Sequence, residues 1–173
     1  TNAGNIVNVS KGAMAIAGFG GEVATVATLR VSYVTSQASD ATVRCGKGCT
    51  LTTLTVSGGS LDVSDNLPTV PNAGGVVTVR GTATGTTVTL NSGTCYWLSS
   101  GTITTLTVGN EGTHDTSRDA RSRTITNAVQ MYPGAKLLDS LGTITFSAGF
   151  KLNGCRIEDV VIDVGEGRTL TPS

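Results

Sequence analysis

The chain has 173 residues, 12 of them basic and 12 acidic, so it carries no net charge and shows neither a nucleic-acid footprint nor a membrane-surface charge. Only 14% of it is charged, whereas 29 residues are Thr and 23 are Gly. Thr favours pleated backbone and Gly permits tight corners, while the longest apolar stretch, residues 13–19, is far too short to span a bilayer, so the composition is that of an all-β chain.

Residues 1–45 show no fixed period. Asn5–Ala17 and Glu22–Val34 read as longer strands joined at Gly18–Gly21, and together as an N-terminal β arm or cap. Such a segment covers the open end of a stacked structure or grips a neighbour. No secretory n-region and h-region pattern precedes a cleavage site in the sequence. Cys45-Gly46-Lys47-Gly48-Cys49 has metal-like spacing, but one pair with His114 as the single histidine falls short of a four-ligand zinc site. A local disulfide fits the spacing. We read Cys45, Cys49, Cys95 and Cys155 instead as small buried or half-buried thiols, the usual state of free Cys.

From residue 46 onward a phrase recurs. Thr87-Val88-Thr89-Leu90, Thr105-Leu106-Thr107-Val108, Thr124-Ile125-Thr126-Asn127 and Thr143-Ile144-Thr145-Phe146 are separated by 18, 19 and 19 residues, and a further 18 from Ile144 reaches Ile162. Thr53-Leu54-Thr55-Val56 lies 34 residues before Thr87, the length of two slightly shorter turns. A fixed period means one small unit stacked on copies of itself. Within each phrase Val88, Leu90, Leu106, Val108, Ile125, Ile144 and Phe146 share one face and the threonines the other. Antiparallel hairpins would reverse every second strand, so a same-sense repeat predicts strands paired in parallel, each lap on the last. At ~3.3 Å per residue a lap has a contour of about 60 Å, enough for three short sides. The predicted fold is a narrow parallel β-helix (β-solenoid) over 46–173 with ~18–19-residue coils, preceded by the arm over 1–45. Two stretches interrupt it: Asp65–Gly75, with two prolines, reads as a loop, and Ser117–Arg123 as a bulge from a corner.

Chemistry is sparse. His114 invites an acid–base reading with Asp115 and Asp119 nearby, but Asp115 stands where Asp62 stands in the matching glycine corner, and a residue repeated in equivalent turns is expected to bond turn backbone. The acidic residues Glu158, Asp159, Asp163 and Glu166 fit a solvated end strand at least as well as a cation site. Tyr96 and Trp97 are neighbours, so one points in and one out; an outward Trp would anchor an interface. There is no nucleophile elbow, P-loop or HExxH. No catalytic, cofactor-binding or metal residue is therefore assigned, and the expectation is that the protein is not an enzyme. Ranks of Thr-x-Thr resemble the ice-binding face of insect-type antifreeze proteins, although Thr propensity alone accounts for most of the pattern.

The run from Thr102 to Ser173 resembles tailed-bacteriophage virion structural proteins of the Thr/Gly-rich β-solenoid type. The resemblance rests on Gly101-Thr102-Ile103-Thr104-Thr105-Leu106-Thr107-Val108, the Gly112-Thr113-His114-Asp115 corner and Arg123-Thr124-Ile125-Thr126-Asn127. It continues through Tyr132-Pro133-Gly134-Ala135-Lys136-Leu137-Leu138-Asp139 and the terminal coil from Cys155 to Val164. In such relatives the corner usually reads Gly-Thr-Leu-Asp, so His114 is a departure. The resemblance implies a capsid decoration or cement protein on the phage head, made in the bacterial cytoplasm. Its implied partners are the major capsid protein and sister subunits, in a homotrimer or other symmetric homo-oligomer, without nucleic acid or membrane. The alternatives are a tail-fibre or tailspike-like adhesin, a carbohydrate-binding β-helix that would cluster Trp97, Tyr96 and Tyr132, a polysaccharide-cleaving β-helix, and an ice-binding solenoid.

Overall fold

Parallel pairing between successive laps organises the chain, seen here in a computed structural model that describes residues 5–18, 22–31, 41–46, 49–56, 60–63 and 67–168. The first laps each contribute two strands: β1 (Ile6–Val9) and β2 (Gly12–Ile16), β3 (Ala24–Val31) and β4 (Ala41–Cys45), β5 (Cys49–Val56) and β6 (Ser60–Val63). Two long strands follow, β7 (Leu67–Gly81) and β8 (Gly85–Ser99), each bending through both broad sides. Next come β9 (Ile103–Val108) and β10 (Thr113–Asp115). The last two laps carry three strands apiece: β11 (Arg123–Ile125), β12 (Val129–Met131) and β13 (Lys136–Leu138), then β14 (Ile144–Phe146), β15 (Phe150–Leu152) and β16 (Val161–Asp163). A 3₁₀ turn, Ile157–Asp159, separates the last two. All sixteen strands belong to one parallel sheet wound on itself, a β-solenoid.

Register shows how alternation becomes a core. On one side, Val43, Leu61, Val77, Cys95, His114 and Leu137 form one buried inward column, each paired with the next, and in register with it Met14 is exposed at one end and Ile162 half-buried at the other. On the other, Leu90, Val108 and Met131 stack likewise, with Asn72 and Leu152 in register at either end. Val88, Leu90, Leu106, Val108, Ile125 and Ile144 are buried as their alternation requires, and Phe146 is half-buried against Phe150 in the last lap. Burying each such side chain contributes about 1.5–3 kcal/mol.

Of the segment 1–45, expected as an arm or cap, the described strands β1 to β4 are laid in the same ladder: β1 pairs β3, β2 pairs β4 and β4 pairs β6, all parallel. These four strands form one end of the sheet and belong to the solenoid rather than to a separate unit. The 34-residue interval from Thr53 to Thr87 does hold two short laps, since Val56 pairs with Asn72 and Asn72 with Leu90. Asp65–Gly75 differs from expectation: from Leu67 onward it is strand, with Pro71 opposite Thr89 and the register slipping at Ala73. A bulge of this kind is where a ladder tolerates residues that do not fit it; residues 64–66 lie outside the described part.

The phrase spacing holds from Thr87 to Thr105, which are partners. Beyond that, three expected alignments are corrected. Ile125 pairs with Ile103 and Gln130 with Thr107, so the Thr124 phrase does not sit on Thr105. Thr124 pairs with Thr145 rather than Thr143, and Ile162 pairs with Leu137 on the other side of the coil. The residues added between Thr116 and Ser122 lengthen the lap, and the single side made by β9 divides into β11 and β12. Thr-x-Thr is generic to exposed strand, so the phrase recurs without marking register.

Candidate functional site

The region around residues 95–144 gathers the buried polar side chains of the described chain: Ser99, His114, Asp115, Thr116, Arg123 and Asp139. Local sequence accounts for each. Asp115 ends β10, and its Oδ1 accepts from the Ser117 amide at 2.8 Å and hydroxyl at 2.5 Å, the turn-backbone role expected of it. Its counterpart Asp62 meets Arg80 at 3.1 Å on the surface, while Ser64, which matches Ser117, lies outside the described residues.

The Ser117–Arg123 stretch leaves the corner as expected, but folds back on earlier laps rather than projecting. Arg123 is buried, and its guanidinium donates to the carbonyls of Trp97 (2.8 Å) and Asp119 (2.9 Å) and to Asp119 Oδ1 (3.1 Å). Burial pulls that guanidinium below its ordinary value, opposed by Asp119 and Asp139. Arg121 donates to the carbonyls of Gly81 and Leu98, and to Asp119 Oδ2 at 2.6 Å. Those hydrogen bonds from Arg121 hold the Asp119 carboxyl down at about 2 against the opposing effect of burial, and the same bonds raise Arg121. Arg118 lies over the Tyr96 ring at 4.0 Å and donates to its hydroxyl at 3.1 Å.

Asp139 is the hub of the next corner. Its Oδ1 accepts from Thr116 Oγ1 (2.9 Å), the Thr143 amide (2.9 Å) and Thr143 Oγ1 (2.7 Å), and its Oδ2 from the Ile144 amide (2.8 Å). Sequence reasoning passed over Asp139. The signal for it is Asp139 with Gly142 three residues on, the ends of a turn closed by the Gly142 amide on the Asp139 carbonyl at 2.8 Å.

His114, Asp115 and Asp119 are brought to one corner but not into an acid–base relay. His114 is fully buried, and neither ring nitrogen has a hydrogen-bond partner. Burial foremost, then Arg123, push its imidazole down to about 4, with Asp115 and Asp139 pulling the other way. Trp97 is the inward residue of its pair, buried with its indole N–H donating to the Gly101 carbonyl at 3.4 Å; Tyr96 is outward. The surface cluster of Trp97, Tyr96 and Tyr132 is therefore not assembled, because one member lies in the core.

The terminal acids are used locally. Glu158 meets Arg156 at 2.7 Å, Asp159 accepts from the Arg156 amide at 2.7 Å and Asp163 from the Gly165 amide at 3.1 Å. Among the described residues no three His, Cys, Asp or Glu side chains are grouped to hold a metal ion. The outward threonines form a short array, Thr87 against Thr105 and Thr89 against Thr107, which Pro71, Gln130 and Lys151 interrupt.

Cys45 and Cys95 are buried and Cys155 half-buried, while the Cys49 side chain falls outside the described residues. Burial, reinforced by Asp115, pushes the Cys95 thiol up to about 12. Because the thiolate is the reactive species, Cys95 in the native protein should react with a disulfide reagent at pH 8 about a thousandfold more slowly than an ordinary thiol. Mass spectrometry of the labelled sites with and without urea checks this.

Comparison of the chain with protein-family models, with curated proteins and with solved structures finds no match.

Proposed function

We propose that this protein is a structural component of a phage virion, a decoration or cement protein that stiffens the head, and not an enzyme. The observation that carries the reading is the unbroken parallel ladder from β1 to β16. Every lap is hydrogen-bonded to the next, the inward columns run through the laps, and Arg118, Arg121 and Arg123 of the 115–123 corner fasten it to earlier laps. Such a body resists deformation and offers long, weakly charged sides for packing beside copies of itself or on a shell. The Thr/Gly phrases that resemble phage solenoid proteins supply the link to a virion.

The end formed by β1 and β2 is the proposed attachment point to the major capsid protein or to sister subunits. Both are terminal strands of the ladder, and Ile6, Met14 and Val23 are exposed beside them. The test is cosedimentation of the full chain with empty phage heads lacking decoration, followed by cryo-electron microscopy. The expected result is saturable binding at lattice positions, weakened at least tenfold by joint Ile6→Glu and Met14→Glu with circular dichroism unchanged. Binding to glycans or tails, and none to heads, would overturn the assignment in favour of an adhesin.

A further inference from the structure

His114 breaks the rule of its own column. The residues paired above and below it, Cys95 and Leu137, and those further along, Leu61 and Val77, are small or apolar and buried. An imidazole there has surrendered its hydrogen bonds to water and gained none, since both nitrogens are buried and unpartnered. The fold would accept Leu at this position without that cost.

The groups facing the ring come from every element around it: Cys95 and Trp97 of β8, Asp115 beside it on β10, Arg123 of β11 and Asp139 after β13. Two are carboxylates, yet both are committed elsewhere, Asp115 to Ser117 and Asp139 to Thr116, Thr143 and Ile144. Arg123 repels a second positive charge. A proton arriving on His114 thus finds no protein acceptor within hydrogen-bond reach.

We propose that His114 is an acid-sensing element built into the core, whose protonation opens the parallel ladder where β8, β10 and β13 meet. The sign follows from linkage. The ring titrates at the ordinary 6.5 once exposed and at about 4 when buried, so the unfolded chain takes the proton first. The stabilisation is complete above 6.5 and is lost as pH falls from there towards 4. Between pH 7 and pH 5 the folded-to-unfolded ratio should drop roughly twentyfold from this one group. The stabilisation from Asp119, held down at about 2, is complete at pH 5 and above and is lost only as pH falls from the ordinary 3.8 towards 2, so its window lies apart.

The experiment is urea unfolding of the full chain at pH 7, 6 and 5, beside His114→Leu and His114→Gln. Wild type should show the twentyfold loss, and both variants a curve flatter by that amount. A leucine variant with the same pH dependence as wild type would overturn the proposal. Should a variant fail to fold, NMR titration of the wild-type imidazole decides. A ring still neutral at pH 5, with faster hydrogen exchange at Cys95, His114 and Leu137 than at Leu29 and Val31, supports it. Titration near 6.5 in the folded protein refutes it.

Discussion

Gly101→Ala should destabilise the protein by about 3–5 kcal/mol, the cost of overpacking plus the hydrogen bonds it breaks. A methyl group at this position would sit 1.9 Å from the Ala83 carbonyl oxygen and 2.8 Å from that of Thr82. Both obstacles are backbone of the preceding corner, which the ladder holds fast, so neither can swing aside like a flexible side chain. The corner is closed by Ser99, whose hydroxyl donates to the Ala83 carbonyl at 2.7 Å and accepts from the Gly101 amide at 2.9 Å. Pushing the corners apart also strains the Trp97 indole bond to the Gly101 carbonyl. Gly154→Ala is the informative control: nothing lies within 4 Å of its added methyl, but the backbone there is left-handed at φ +69°. That variant should lose only about 1–2 kcal/mol. Urea midpoints for the two variants separate collision from backbone strain, and equal losses would show that close approach is not what position 101 requires.

Asp139→Ala should be of similar size, about 3–5 kcal/mol, because one buried carboxylate satisfies two amides and two hydroxyls. With it gone, the Thr143 and Ile144 amides are left buried without their acceptor, and Arg123 loses a nearby negative charge. The melting temperature should fall by roughly 10 °C or more for a chain of this size. Asp139→Asn keeps one acceptor oxygen but turns an amide group on a backbone N–H, so it should recover only part of the loss. Calorimetry of both variants tests this, and an alanine variant within 1 kcal/mol of wild type would mean the corner is held by the ladder alone.

Much of the architecture could be read from residues because its rule is simple: apolar and Thr residues alternate, and they do so in the same sense lap after lap. Val88, Leu90, Leu106 and Val108 went where alternation put them. Register from Thr124 onward was less legible. Thr124 and Thr143 looked like partners because Thr-x-Thr marks any exposed strand, whereas the true partner, Thr145, depends on how many residues a corner absorbs. No local signal states that number. Pro68 and Pro71 argued for a loop, yet the backbone between β6 and β8 supports a strand that slips register nearby.

At the polar corner, Asp115 was legible from its echo at Asp62, and His114 stood out as a departure. Arg123 and Asp139 did not, because a charged residue in the sequence carries no mark of being buried. Their burial follows from the fold of the 116–123 segment, which lays Arg123 against the carbonyl of Trp97. The inward direction of Trp97, against the outward Tyr96, was one of two choices that alternation allowed and packing decided.

The growth of the lap has a consequence for self-assembly. At one extremity the outline is drawn by β1 and β2, at the other by β14, β15 and β16, and each of these strands has a single partner. A second molecule placed tip to tail would offer three short segments to two. Inside the molecule a lap of two strands already carries one of three, β9 pairing both β11 and β12, so such a join is a mismatch of outline that a lengthened corner can absorb rather than a bar to pairing.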